Sequence, residues 1–242
     1  MTSDRIPNAG ASSEEFEFSA LTQAVNYRNA IIDVFRAELA GDVIELGAGI
    51  GQMSELVARL ETVRSFLAVE PDERYASRLS ERLPHIAIHR GVLGTLPEDA
   101  SCDVVFSINV FEHIENDLDE MVLCRKVLAR KSGALCLLIP ARPELYSPID
   151  KDFGHFRRYT YSDLNAKLVR AGFHVHRLEY FSLVGYFTWL LNFRLLKARR
   201  FDPGKLAVFD RFIFPVARRL EMLLGPPPFG QSLIAVAYAG RS

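Results

Sequence analysis

An apolar strand that runs into a glycine-rich turn is the feature that most limits how this chain folds. The stretch 43–51 reads VIELGAGIG. A second apolar run ends on Glu70. Glycines permit a tight turn and let the backbone approach a ligand closely, and the helix that follows directs its free N–H groups toward that ligand. An acid at the end of the next strand is placed to accept both hydroxyls of a ribose, so the pattern predicts a site for a nucleoside-containing ligand.

The spacing within the turn distinguishes between nucleosides. The dinucleotide fingerprint is G-x-G-x-x-G, whereas this chain has G-x-G-x-G with Gln52 in the place of the third glycine. No Lys or Arg follows closely, and there is no G-K-[ST] loop. Glu45 would repel a phosphate but suits an ammonium group. A ligand with a ribose, an amine and no phosphate fits better, and S-adenosylmethionine is such a ligand.

Apolar strands alternate with helices along the chain, which predicts a parallel sheet covered on both faces. Strands are predicted over 42–46, 65–70, 86–89, 103–108, 134–139, 173–180 and 232–238. Helices are predicted over 14–39, 52–60, 72–83, 118–129 and 160–171. Two further segments exceed this minimal pattern, a loop over 141–159 and an insertion over 181–229. Because ligands of open α/β sheets bind beyond the carboxyl ends of the strands, we expect the first to be an acceptor lid and the second a helical cap.

The segments 45–51 and 103–114, with Glu70 between them, resemble successive motifs of the class I S-adenosylmethionine-dependent methyltransferases of small-molecule type. The resemblance implies an α/β, Rossmann-like sheet of seven strands that is mostly parallel, with an antiparallel last strand inserted between two earlier ones. It also implies S-adenosyl-L-methionine as the cofactor. The implied contacts are Gly47, Ala48 and Gly49 for the methionine end, Glu45 for the amino group, Glu70 for the ribose, and Pro71 with Asp72 beside the adenine.

The third strand departs from the family pattern. Many members have an acidic residue there, near the adenine amine, but the segment 90–93 reads RGVL. Val92 and Leu93 are expected to pack on the adenine instead, while a backbone group supplies the polar contact. On the first predicted helix, Tyr27 closes over the cofactor or, with Arg28, forms a helix-surface pair.

The fourth motif, 109–114, reads NVFEHI and lies at the exit of the fourth strand. The resemblance implies that this motif lines the cofactor near its transferable methyl group, with Asn109 as a wall residue. His113 has two interpretations. It faces the methyl acceptor and acts as a base, or it organises the turn into the next helix together with Glu112.

Within the predicted lid, the stretch 146–159 concentrates an imidazole, two guanidinium groups and two phenols. In the functional interpretation, His155 or Tyr159 contacts the nucleophile and an arginine orients an acidic acceptor, because guanidinium binds carboxylate or phosphate bidentately. In the structural interpretation, Asp150 or Asp152 pairs with Arg157 or Arg158, and His155 caps a turn. The candidate substrate-binding residues are Tyr146, Arg157 and Arg158. No metal ligand is assigned.

The insertion over 181–229 joins apolar and basic residues. Its apolar start is interrupted by Asn192 and Arg194 too soon for a transmembrane helix. Residues 190–219 carry eight Lys and Arg against two Asp. The segment is expected to be a helical cap that packs on the sheet or on another subunit in a homodimer. The alternative is a peripheral contact with an anionic membrane.

Length and composition set the remaining limits. The chain has 242 residues and a net charge of −1, which predicts a single domain over 14–242 after a disordered lead-in over 1–13 and disfavours a nucleic-acid partner. The three cysteines, Cys102, Cys124 and Cys136, are expected to be reduced and buried in a cytoplasmic protein.

These features together predict methyl transfer to oxygen or nitrogen of a small acceptor that is acidic and partly apolar. A natural-product, quinone or lipid-linked intermediate has that chemistry. Two alternatives stay open. One is a cofactor-binding scaffold or regulatory module that transfers no methyl group. The other is an NAD(P)-dependent oxidoreductase, which Gln52 and Glu45 disfavour.

Overall fold

One sheet of seven strands organises the computed structural model, which describes residues 21–199 and 202–240. The predicted lead-in over 1–13 lies outside the described residues. The strand order is β3-β2-β1-β4-β5-β7-β6. The strands are β1 Gly41–Leu46, β2 Val63–Glu70, β3 Ala87–Arg90, β4 Val104–Ile108, β5 Ala134–Pro140, β6 His174–Phe181 and β7 Ser232–Tyr238.

Strands β1 to β5 pair in parallel, and β7 lies antiparallel between β5 and β6. Cys136 of β5 pairs with Val236 of β7, which in turn pairs with Arg177 of β6. This arrangement confirms the predicted Rossmann-like sheet with an antiparallel last strand. Every residue of β5 is buried, as expected of a strand with a covered face on each side.

Helices cover both faces of the sheet and cap its carboxyl edge. They are α1 Val25–Phe35, α2 Ser54–Val57, α3 Glu73–Arg82, α4 Asp117–Ala129, α5 Pro148–Asp152, α6 Tyr161–Arg170, α7 Leu183–Trp189, α8 Pro203–Val208 and α9 Phe214–Leu224. Side-chain caps explain where two of them start. Asp72 accepts a hydrogen bond from the Arg74 amide at the start of α3, and Thr160 accepts one from the Asp163 amide at the start of α6.

Most predicted boundaries agree with the structure within two residues, but two helices differ. The first, predicted over 14–39, lies outside the described residues over 14–20, and α1 spans Val25–Phe35. The second is the helix after the glycine turn. It was expected over 52–60, whereas α2 spans only Ser54–Val57. Two tight turns follow the helix. The Leu60 amide donates to the Val57 carbonyl, and the Val63 amide donates to the Leu60 carbonyl, so the chain turns into β2 instead of continuing the helix.

Two apolar cores lie on opposite faces of the sheet. One contains Phe111, Met121 and Leu137, and the other contains Ile31, Phe35 and Phe106. The three cysteines are buried and form no disulfide, as the sequence predicted.

The predicted lid and cap pack against each other above the sheet edge. Leu145, Ile149 and Phe153 of the lid form one cluster with Trp189 and Phe193 of the cap. Within the cap, π-helical turns over Leu190–Leu195 and Phe209–Ile213 continue α7 and join α8 to α9. Among the described residues, no helix is both long enough and apolar enough to cross a membrane.

Candidate active site

The glycine turn after β1 has the backbone conformation that the sequence predicted. Gly47, Gly49 and Gly51 have φ angles of 73°, 55° and 84°, in the left-handed region that glycine adopts without strain. A Cβ on Gly47 would lie 2.4 Å from the Val110 side chain. A side chain at this position therefore conflicts with the loop after β4 as well as with the backbone angle.

Glu70 ends β2 with its carboxylate against this turn. Its Oε2 accepts the Gly49 amide at 2.7 Å and its Oε1 accepts the Asp72 amide at 2.9 Å. The side chain is buried, and burial raises the pKa of Glu70 despite these two bonds. A carboxylate oxygen accepts more than one hydrogen bond, so the anchored group retains acceptor capacity for two ribose hydroxyls. Glu70 thus fits the predicted ribose contact.

Glu45 lies beneath the same turn and is buried. Ser54 donates a hydrogen bond to its Oε2. Burial raises the pKa of Glu45 to about 8. A neighbouring ammonium group favours the ionised carboxylate, so the amino group of the cofactor would supply the charge partner that this side chain needs. Glu45 therefore fits an amine ligand.

The adenine side has one residue that fits its predicted role and one that does not. Val92 is 47% exposed and leaves an apolar surface beyond β3. Leu93 is 2% exposed and packs in the core with Met121, so its expected contact with adenine is wrong.

Pro71 is exposed beside the ribose acid, and Asp72 caps α3. The methyl group of Ala48 is buried against Leu79 and leaves its backbone as the group that faces a ligand.

Tyr27 and Arg28 separate onto different sides of α1. Arg28 is buried and donates to the Gln52 carbonyl at 3.1 Å, which ties α1 to the glycine turn. The Tyr27 ring lies 5.7 Å from that of Phe181 and lines a neighbouring cavity. Burial raises the pKa of Tyr27 to about 12. The predicted helix-surface pair, with Tyr27 half-buried, is wrong for Arg28, which is buried, whereas Tyr27 is indeed half-buried.

A cavity of about 440 Å³ lies between the sheet edge and the cap. Residues from the strand exits and the lid form one side of it, and residues from the cap form the other. The sheet and lid side includes Asn109, Glu112, Pro140, His155 and Arg158. The cap side includes Trp189, Phe193, Lys205, Leu206, Phe209 and Ile213. Asn109, predicted as a wall residue, lines this cavity and has a φ of 54°.

The two histidines that the sequence singled out contact each other, and His155 lines this cavity. The rings of His113 and His155 lie 4.6 Å apart and nearly perpendicular. His155 Nδ1 lies 3.2 Å from Asp150 Oδ1, and its Nε2 lies 4.0 Å from Glu112 Oε1. Burial lowers the pKa of His155 and lowers the pKa of His113 to about 4. Both imidazoles are therefore neutral near pH 7.

Arg158 lines the cavity, but its charge is already paired. Its Nε donates to Asp150 Oδ1 at 2.7 Å, and its guanidinium carbon lies 4.4 Å from the centre of the Trp189 ring. Asp150 also accepts hydrogen bonds from the Ser147 amide and hydroxyl. One buried carboxylate thus holds Arg158, His155 and the start of α5 together. This matches the structural interpretation of the lid for Asp150, while Asp152 pairs with Arg199 of the cap.

Three lid residues predicted for catalysis or acceptor binding lie elsewhere. Tyr159 is completely buried and donates to Asp117 Oδ2 at 2.6 Å and to the Phe111 carbonyl at 3.0 Å. Arg157 Nη1 lies 2.9 Å from the same Asp117 carboxylate, and the Tyr146 hydroxyl donates to the His155 carbonyl. None of the three lines the cavity. These contacts correct the earlier assignment, because they make all three residues supports of the lid.

The sequence did not identify the contribution of the cap. Asp210 is buried and accepts the amides of Asn26 and Tyr27, both at 2.9 Å, so it caps the first turn of α1 across the fold. Trp189 and Lys205 line the cavity. The only signal for these residues was the mixed apolar and basic composition of the cap, which does not indicate what each side chain contacts.

Comparisons with known proteins agree with this geometry. Residues 43–131 match the family model described as a methyltransferase domain. No curated protein matches the chain.

Solved structures of low sequence identity share the fold. An S-adenosylmethionine-dependent methyltransferase from Mesorhizobium loti is 17% identical over 85% of this chain and 96% of its own, with a TM-score of 0.58. One from Thermotoga maritima is 16% identical over 93% and 94%, with a TM-score of 0.62. The YcgJ protein from Bacillus subtilis is 15% identical over 93% and 99%, with a TM-score of 0.58.

Proposed function

Since residues 43–131 are a methyltransferase domain of the class I, S-adenosylmethionine-dependent family, we propose that this enzyme methylates an oxygen or nitrogen atom of an amphipathic small molecule. The observation that carries the proposal is the cavity at the sheet edge. Asn109 and Pro140, at the ends of β4 and β5, line it on one side, and aromatic residues of the cap line it on the other. The donor turn after β1 opens at the same edge.

Methyl transfer from a sulfonium needs little beyond correct placement. An in-line approach of the nucleophile to about 3–3.5 Å supplies much of the acceleration. A base is required only when the acceptor atom carries a proton that must leave. Neutral His155, on the cavity wall with Nδ1 beside Asp150, is available for that role. Tyr159 is not, because its hydroxyl is bonded inside the core.

The residues of the cavity refine the acceptor class. Trp189, Phe193 and Phe209 supply an apolar wall, which favours an acceptor with a hydrocarbon part. Support for an acidic group is weaker than the sequence indicated, since Arg158 is paired with Asp150 and Arg157 lies outside the cavity. Lys205 is the cation of the cap that lines it.

Chain-length preference tests the acceptor class. Purified enzyme with methyl-labelled S-adenosylmethionine would be given an alkylcatechol, a long-chain amine and a fatty acid, each beside its short-chain parent. At least one long-chain compound should be methylated at least about tenfold more efficiently than its parent, because each buried methylene contributes about 0.8 kcal/mol. Phe209→Ala should reduce this preference, while Phe156→Ala, at an exposed ring outside the cavity, should preserve it. Preference for the short parents would overturn the acceptor class.

We also propose that the cap rests on an anionic membrane, from which such an acceptor would enter. Exposed apolar side chains recur every four residues along the two helical parts of the cap, so each set shares one face. The first set is Phe187, Leu191 and Leu195, and the second is Val208, Phe212, Val216 and Leu220. Exposed cations lie among them, at Lys197, Lys205, Arg211 and Arg219. Apolar and basic residues in this arrangement favour an anionic lipid surface.

Vesicle sedimentation tests the membrane proposal. The protein should sediment with phosphatidylglycerol-containing vesicles at low salt and not with pure phosphatidylcholine vesicles. Phe212→Glu should abolish sedimentation, whereas Val169→Glu, at an exposed valine on α6, should not. If the protein does not sediment with vesicles and instead forms a dimer that Phe212→Glu disrupts, these faces belong to a homodimer interface.

A further inference from the structure

We infer that Glu112, His113 and His155 form a site for one divalent transition-metal ion at the wall of the acceptor cavity. One ligand atom from each residue can be chosen so that all three lie within 4.8 Å of one another. Glu112 and His113 sit on the turn after β4, and His155 comes from the lid. The site therefore exists only when the lid is folded over the sheet edge.

His155 is held as a metal-binding histidine usually is. Its Nδ1 lies 3.2 Å from Asp150, a carboxylate that Arg158 and Ser147 also fix. Its Nε2 is buried, lies 4.0 Å from Glu112 Oε1, and has no hydrogen-bond partner among the residues that the structure describes. A carboxylate on the far nitrogen orients the ring and raises its basicity as a ligand. The Nε2 lone pair is thus directed into the cluster.

His113 is oriented by the backbone of the same lid. Its ring donates a hydrogen bond to the Phe153 carbonyl, which leaves its other nitrogen as an acceptor. The ring is nearly perpendicular to that of His155. Both histidines therefore have one nitrogen bonded to an oxygen and one lone pair free for a ligand bond.

The donor set indicates the kind of ion. Two imidazole nitrogens and one carboxylate suit zinc, manganese and ferrous iron, and leave coordination positions open. Calcium and magnesium prefer an all-oxygen set. Because Glu112 and His155 line the acceptor cavity, an ion held by them would lie at the cavity wall.

This inference rests on the proposed function for its chemical meaning, since a metal at this wall favours an oxygen acceptor. With the ion bound, His155 Nε2 would be a ligand and no longer the base, and a hydroxyl on the ion would become more acidic and lose its proton to solvent. Its oxygen then forms the bond to the methyl carbon while the sulfur–methyl bond breaks. The electron pair of the broken bond stays on sulfur, which leaves S-adenosylhomocysteine and a methyl ether.

Direct metal binding tests the site. Full-length protein, stripped of metal by chelation and dialysis, would be titrated with Co²⁺ and followed by its visible absorption. One equivalent should bind to the native protein and to His85→Ala, which removes an exposed histidine outside the cluster. His113→Ala and His155→Ala should each weaken binding by at least about tenfold. Absence of a stoichiometric Co²⁺ spectrum, or native affinity in both alanine variants, would overturn the inference.

Binding of S-adenosylhomocysteine, measured by calorimetry on the metal-free proteins, separates the possible failures. Variants that bind it normally are folded, so their loss of Co²⁺ is specific. If either alanine variant fails this control, Glu112→Gln replaces it, since it removes the carboxylate ligand with little change in shape and should also weaken Co²⁺ binding. Native protein that binds Co²⁺ but not S-adenosylhomocysteine would overturn the proposed function and leave the metal site standing.

Discussion

The donor half and the acceptor half of this molecule are built in different ways. Glu45, the glycine turn and Glu70 come from consecutive elements of one β-α-β unit, and the fold brings Glu70 against the turn. The acceptor cavity instead joins the exit of β4, the lid and the cap, which are far apart in the chain. The donor site is therefore visible as a local pattern, while the acceptor site depends on which distant side chains pair.

The largest effect should come from the carboxylate that organises the acceptor half. Asp150→Ala leaves the buried Arg158 guanidinium without its ion pair, so we expect a loss of about 3–5 kcal/mol in the free energy of unfolding. Urea denaturation measures it. Asp152→Ala, which removes a partly exposed pair with Arg199, should cost no more than about 1 kcal/mol. Equal losses of unfolding free energy in the two variants would contradict the inference that Asp150 holds the lid together.

In the donor half, Glu70→Ala should weaken cofactor binding strongly, because it removes the ribose acceptor and also the acceptor of the Gly49 and Asp72 amides that shapes the turn. Removing the acceptor of two ribose hydroxyls should raise the dissociation constant of S-adenosylhomocysteine by about 100-fold. Calorimetry measures this constant. Glu73→Ala, at an exposed acid on the neighbouring helix α3, serves as the control and should bind normally. Unchanged affinity in Glu70→Ala would contradict the ribose assignment.

Tyr159→Phe separates structural from catalytic residues in the lid. Loss of the bond to Asp117 should cost about 1–2 kcal/mol of stability. The value of kcat/KM should change by no more than about twofold, because the hydroxyl does not reach the cavity. Tyr161→Phe, at an exposed phenol, should change neither quantity. A fall of 100-fold or so in kcat/KM with unchanged stability would restore Tyr159 as a catalytic residue.

Glu45 should make the stability of the cofactor-free protein depend on pH. Its folded pKa of about 8 lies above its ordinary value of 4.5, so its contribution is fully present below pH 4.5 and is lost as pH rises through about 8. Between pH 5 and pH 7 this loss should be on the order of 1–2 kcal/mol. Glu45→Gln should flatten that part of the profile in thermal or urea unfolding. An identical slope in both proteins would refute the raised pKa.

Prediction succeeded where a residue's conformation and position follow from its neighbours in the chain. Gly47 and Glu70 could be identified because a turn between parallel strands needs a positive φ and places the next strand's end beside it. Leu93 was misassigned because apolar character does not distinguish a core position from a ligand contact. Arg157 and Tyr159 were misassigned for a related reason. A charged or phenolic group in a lid binds an acceptor only if no carboxylate such as Asp117 already satisfies it.

The sequence by itself predicted the sheet and the class of methyl donor, because strand periodicity and turn chemistry are local properties. Its resemblance to the class I methyltransferases implied the antiparallel last strand. Only the tertiary structure decided that Asp150 binds both Arg158 and His155, that Asp210 caps α1, and that Glu112 meets two histidines. These contacts join the lid, the cap and the strand exits. Their partners are chosen by packing and burial, which no spacing in the chain records.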